Sequence, residues 1–152
     1  MIPSTEQIMK GLVFYNDLLT QEEKRYFNSL IQETWEKIPH VHQSKLLNSL
    51  EFIIIKPIED PLYPGTVALT RKSATMPLKN WIIWNPFSIR SLQDQSKIFL
   101  LAHEFAHSYL QHPQKEVNKN IAEDEANHQT ISNWHITPSE NDRVLFFSNL
   151  DY

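Results

Sequence analysis

From Ile98 to Leu110 the chain reads IFLLAHEFAHSYL, an apolar stretch with three ionisable groups packed into residues 103–107. Its apolar residues recur three and four apart. Ile98, Ala102, Phe105 and Tyr109 form one stripe, and Phe99, Ala106 and Leu110 an adjacent one. A helix so broadly apolar belongs at the centre of a fold, where any polar group on it must find a partner. Gln93, Lys97, Ser108 and Gln111 fall on what is expected to be its polar side. Ser91 is the expected cap, with Asp94 in the first turn, and Pro113 is expected to close the helix after about Gln111.

The ionisable groups spell His-Glu-Phe-Ala-His. Residues four apart share a helix face, so the imidazoles of His103 and His107 can converge on one metal ion. Glu104 lies about 100° further round the helix. It cannot join the pair as a ligand, but it can reach a water beside the metal, as a general base must. The chain contains no cysteine, which excludes thiolate zinc sites, disulfides and Cys nucleophiles. Any metal therefore rests on His and carboxylate.

Two histidines hold zinc poorly, so a third ligand is needed. His112 is one candidate, but five residues past His107 is about 140° off the face of a continuing helix. The other candidates lie in IAEDEANHQTISNW. Glu123 and Glu125 are two apart and face nearly opposite sides. Glu123 shares its face with Ala126, Asn127, Thr130, Ile131 and Trp134, whereas Glu125 shares one with His128, Gln129 and Ser132. Glu123 is thus expected to be the buried carboxylate and the metal ligand, with Asn127 bonding a ligand from behind. Glu125 remains the alternative.

Elsewhere, Thr5 to about Glu36 reads helical, from Leu12, Tyr15, Leu18 and Leu19 at helical spacing. Thr20-Gln-Glu-Glu23 is a capping box, which starts a second helix with Tyr26, Phe27, Leu30, Ile31 and Trp35 on its core stripe and Pro39 at its end. His40 and His42, in PHVHQ, are expected in a surface loop. Three β-branched or aromatic runs read as strands: Phe52–Ile55, Thr66–Thr70 and Trp81–Trp84. The segment NWIIWNP is a candidate edge strand to which a peptide could add. A last helix spans about Asn118 to Trp134. Helices, then strands, then helices make an α+β fold.

The chain has 152 residues, enough for one domain with a real core. We divide it into a helical N-terminal part, 1–50, and a core, 51–136. Its net charge is −4, with no polybasic arm, so nucleic acid is not an expected partner. Only two glycines are present, and no Gly-rich phosphate loop. The N-terminal stretch lacks the marks of a secretory or membrane-targeting segment, and no apolar run is long enough to span a bilayer. A cytoplasmic protein is the expectation.

HEFAHSYLQH followed by EDEAN resembles the gluzincin metallopeptidases, in which HExxH on one helix is completed by a Glu on the next. The pattern is most similar to the small ImmA/IrrE-type metallo-endopeptidases, over about Phe52 to Trp134. Ala106 stands where these usually have glycine, and HQTISNWHITP replaces their usual continuation. The resemblance implies a zincin-like core: a short mixed sheet, a central HExxH helix and a following Glu-bearing helix. It implies zinc on His103, His107 and Glu123, with Glu104 as catalytic base, and a protein or peptide as substrate. A His, Tyr or Arg usually assists at the oxyanion; Tyr109, His128 and His135 are the candidates. A regulatory protein is a further expected partner. The alternative function is a zincin-like binding or regulatory protein that cleaves nothing.

Overall fold

The computed structural model describes residues 3–58 and 67–142. Its strands are β1 (Val13–Tyr15), β2 (Leu50–Ile55), β3 (Ala68–Lys72) and β4 (Asn80–Trp84). They form one mixed sheet in the order β1-β2-β4-β3, with β1, β2 and β4 parallel and β3 antiparallel to β4. The helices are α1 (Thr5–Lys10), α2 (Gln21–Lys37), α3 (His40–Ser49), α4 (Asp94–Tyr109), α5 (His112–Lys115) and α6 (Lys119–His128). The fold class is α+β.

The capping box forms as expected. Thr20 Oγ1 accepts from the Glu23 N–H, and Glu23 Oε1 accepts from the Thr20 N–H. From there α2 buries Phe27, Leu30, Ile31 and Trp35. Phe27 meets Trp84 of the sheet edge-on at 5.1 Å, and Trp35 meets Phe105 of α4 at 5.8 Å. Helix α2 thereby packs on α4 and touches the sheet at Trp84.

Residues 12–19 are not helical. Gly11 caps the end of α1, and Val13–Tyr15 pair with Ile53–Ile55. The Leu12 carbonyl takes the Ile53 N–H, and the Asn16 N–H goes to the Ile55 carbonyl, each at 2.9 Å. A parallel partner from forty residues away outweighs the helical spacing of Leu12, Tyr15, Leu18 and Leu19. Leu12, Tyr15 and Leu19 still face the core, but from a strand and a turn, and Leu18 is 72% exposed.

Residues 40–49 are helical rather than a loop. No side chain caps α3. Buried Gln43 ties it to α2 instead: its Nε2 donates to the carbonyls of Trp35 and Ile38 at the end of α2.

The sheet alternates as a half-covered sheet should. Ile53, Ile55, Ile82 and Trp84 are fully buried, while Phe14, Phe52 and Trp81 stack across the other face. Strand β4 is interior, between β2 and β3, so NWIIWNP is not an edge. The edge beside α4 is β3, Ala68–Lys72; the expected start of this strand at residue 66 lies outside the described residues.

Helix α4 is buried from Ser96 through Ser108. Of its expected polar side, Gln93 and Gln111 are exposed at the two ends, whereas Lys97 and Ser108 are covered. Lys97 Nζ donates to Tyr26 Oη at 2.7 Å, and Ser108 bonds Ser49 of α3 and Asn80 of β4. Ser91 does not cap it. The carboxylate of Asp142, far along the chain, accepts from the Gln93 N–H and from Ser96 Oγ in that role. The helix ends at Tyr109, and Pro113 lies in the first turn of α5. Helix α6 continues through a π-helical turn, Gln129–Asn133, to Trp134. Among the described residues no helix is long and apolar enough to cross a membrane.

Candidate metal centre

One turn of α4 separates His103 from His107, and their Nε2 atoms lie 3.1 Å apart. Helix α6 packs on α4, with the small residues Ala102 and Ala106 buried on one helix and Ala122 and Ala126 on the other. That close approach brings Glu123 to the pair. Its Oε2 is 3.0 Å from His103 Nε2, and its Oε1 is 3.0 Å from His107 Nε2. His103, His107 and Glu123 form a group that could hold a metal ion.

The donor set fits such an ion. Tetrahedral zinc with bonds near 2.0 Å spaces its ligand atoms by about 3.3 Å, a few tenths wider than the separations here. Two ring nitrogens and a carboxylate converge on one point, and each nitrogen offers a lone pair there once it carries no proton. Burial opposes a charged His103. The Glu123 hydrogen bond, the negative charges of Glu104 and Glu123, and nearby Asn127 nonetheless raise its pKa. Burial likewise opposes an ionised Glu123, but hydrogen bonds and positive charge from His103 and His107 hold its pKa far below the carboxylate range. The pocket thus strongly favours positive charge opposite Glu123.

Glu104 is 7% exposed and faces the same cleft. Its Oε1 accepts a 2.8 Å hydrogen bond from Thr70 Oγ1 on the edge strand β3. The cleft, of about 510 Å³, lies between β3, the His-bearing turn of α4 and the start of α6, and is bordered by Leu69, Thr70, Glu104, His107, Lys119 and Glu123. Sequence reasoning did not single out Thr70. Its place in a strand was legible, but the strand's position at the edge beside Glu104 was not.

Glu123 is half-buried, with 45% of its side chain exposed, so it is less enclosed than its helix face implied. Asn127 lies where expected and influences His103, yet His103 Nδ1 is buried without a hydrogen-bond partner. Glu125 is not simply solvated. Its Oε1 is 3.0 Å from Nε2 of His112, and His112 Nδ1 is 2.8 Å from His107 Nδ1. The 140° argument against His112 assumed a continuing helix. Gln111 instead adopts a left-handed conformation, φ 58°, and swings His112 back beneath His107. Burial, followed by the neighbouring His107, lowers the His112 pKa despite Glu125.

The other candidates lie elsewhere. His42 accepts from Trp134 Nε1 and stacks against Tyr109, and the Lys45 ammonium sits over the Tyr109 ring. His128 and His40 are exposed. His135 borders a separate cleft with Glu33, Lys37 and Asp94. Tyr109, His128 and His135 are not among the described residues lining the His–Glu cleft. No family model, curated protein or solved structure matches the chain.

Proposed function

We propose that the chain is a zinc-dependent metallopeptidase with a zincin-like core, similar to the small ImmA/IrrE-type endopeptidases, that hydrolyses peptide bonds of an intracellular protein or peptide. The observation that carries this is the convergence of His103, His107 and Glu123 beside a cleft that His107 and Glu123 line together with Glu104.

A zinc ion in that group supplies Lewis acidity to a water and to the scissile carbonyl. The chain's own residues do the rest. His103 and His107 offer Nε2 lone pairs, and Glu123 offers the charge that balances a cation. Glu104 takes the proton from the attacking water and returns it to the leaving amine. Thr70 restrains Glu104 by bonding both its carboxylate and its backbone carbonyl. The outer edge of β3 borders the cleft, so an extended peptide can add there as a further strand. A protein that only bound a partner would need no such ionisable group fixed beside the ligands.

The test pairs two variants. Glu104→Gln keeps its zinc and loses about 10²–10⁴ of the hydrolytic rate, whereas His103→Ala/His107→Ala loses the zinc as well. Elemental analysis and a peptide-cleavage assay read both. Full activity in Glu104→Gln rules out the base, and a native protein that takes up no zinc rules out the metal centre.

A further inference from the structure

Behind the proposed metal ligand His107 lie two side chains that the reaction itself does not use, His112 and Glu125. Buried His112 lies between His107 and Glu125, with each of its ring nitrogens on one neighbour, at 2.8 Å and 3.0 Å. The short helix that carries it is anchored. Gln114 and Asn80 of β4 exchange two hydrogen bonds, of 2.6 and 3.1 Å, and Asn80 also donates to Ser108.

With His112 neutral, one arrangement of protons satisfies its two contacts. An ionised carboxylate can only accept, so His112 must carry its proton on Nε2, toward Glu125. The Nδ1 of a neutral His112 is then a lone pair, and it faces His107 Nδ1. His107 must therefore hold its proton on Nδ1, and its Nε2 is left as a lone pair aimed at His103 and Glu123. This reasoning starts from Glu125 and uses no metal.

We infer that Glu125 and His112 are positioning residues that fix His107 in its metal-binding tautomer and ring orientation before any ion arrives. They form a carboxylate–histidine–histidine series, one imidazole longer than the usual carboxylate–histidine pair behind a zinc site. The inference rests on the metal-centre reading above, and its proton arrangement on the two contacts of a neutral His112. His103 has no such series behind it: its Nδ1 is buried without a hydrogen-bond partner among the described residues, and Asn127 is the neighbour that influences it. The two proposed histidine ligands are thus supported differently.

Two measurements test this. The first is nitrogen NMR of the imidazoles in metal-stripped native protein. It should show His107 protonated on Nδ1 and His112 on Nε2. His107 protonated on Nε2, or His112 doubly protonated, overturns the inference. The second is zinc affinity by chelator competition. Glu125→Ala should weaken binding about 10-fold and His112→Leu about 100-fold. Glu125 is 53% exposed, so its removal does not threaten folding. His112→Asn should recover much of the His112→Leu loss, because a carboxamide oxygen can accept from His107 Nδ1 as the ring nitrogen does. Native affinity in both Glu125→Ala and His112→Leu sinks the positioning role alone. Absence of zinc from the native protein sinks the metal centre, a result that the tautomer measurement cannot mimic.

Discussion

Helix α4 carries a polar cluster at each end, and the two are built on opposite plans. At the N-terminal end the Asp142 carboxylate sits among donors: the Gln93 N–H at 3.0 Å, Ser96 Oγ at 2.6 Å and Ser139 Oγ at 3.1 Å. Ser96 in turn accepts from the Ser139 N–H. Hydrogen bonds from Ser96 and from the Gln93 backbone hold the Asp142 pKa below its ordinary value. One turn before the C-terminal end, the Glu123 carboxylate sits among imidazole nitrogens that face one another. Both clusters contain a carboxylate drawn to α4 from a later element. The first is complete within the chain, whereas the second brings two imidazole nitrogens and a carboxylate to one point. A carboxylate ringed by donors secures a helix end, whereas one that meets converging imidazoles forms a group that could hold a cation.

The largest effect expected from this contrast concerns zinc. Stabilisation by a ligand grows with its concentration over Kd, to about 4 kcal/mol at a thousandfold excess. Thermal melting with and without a chelator should show a zinc-dependent increment in the native protein and none in His107→Ala. An increment of equal size in the variant would mean that the ion binds elsewhere. The N-terminal cluster should respond in the opposite way. Ser96→Ala should cost about 1–3 kcal/mol in urea unfolding and leave zinc stoichiometry unchanged.

The same cluster carries a pH dependence of definite sign. Because the folded-state pKa of Asp142 is lowered, its contribution is complete above the ordinary Asp value near 4 and is lost as pH falls through the lowered value. Asp142→Asn should therefore flatten the acid limb of a stability–pH profile, and an unchanged limb would assign the acid sensitivity to other groups. The smallest effect is expected at Thr70. Thr70→Val removes one hydroxyl and about 0.5–1.5 kcal/mol of hydrogen bonding. It should slow hydrolysis several-fold with zinc content intact, by about the amount such an energy represents. An unchanged rate would mean that Glu104 needs no restraint from β3.

The elements legible in the sequence were those set by near neighbours. The capping box at Thr20, the core stripe of α2 and the strand Trp81–Trp84 each depend on residues within a turn or a few positions. Hidden from it were features whose partner comes from far along the chain. Residues 12–15 form a strand because β2 is there to pair with, and α4 is capped by Asp142 rather than Ser91 because residues 139–142 fold back onto it. Helix α3 begins without a side-chain cap, so no capping signal announces it.

At the candidate site the division is the same. Helical periodicity by itself put His103 and His107 on one face and favoured Glu123 over Glu125, because both choices depend on angles within one helix. Tertiary structure decided the rest. It set β3, not β4, at the edge beside Glu104, and it turned His112 back under His107. The reason is that a helix angle is fixed by backbone geometry every 3.6 residues. By contrast, one left-handed residue at Gln111, or the order of strands in a sheet, depends on what the whole chain packs against.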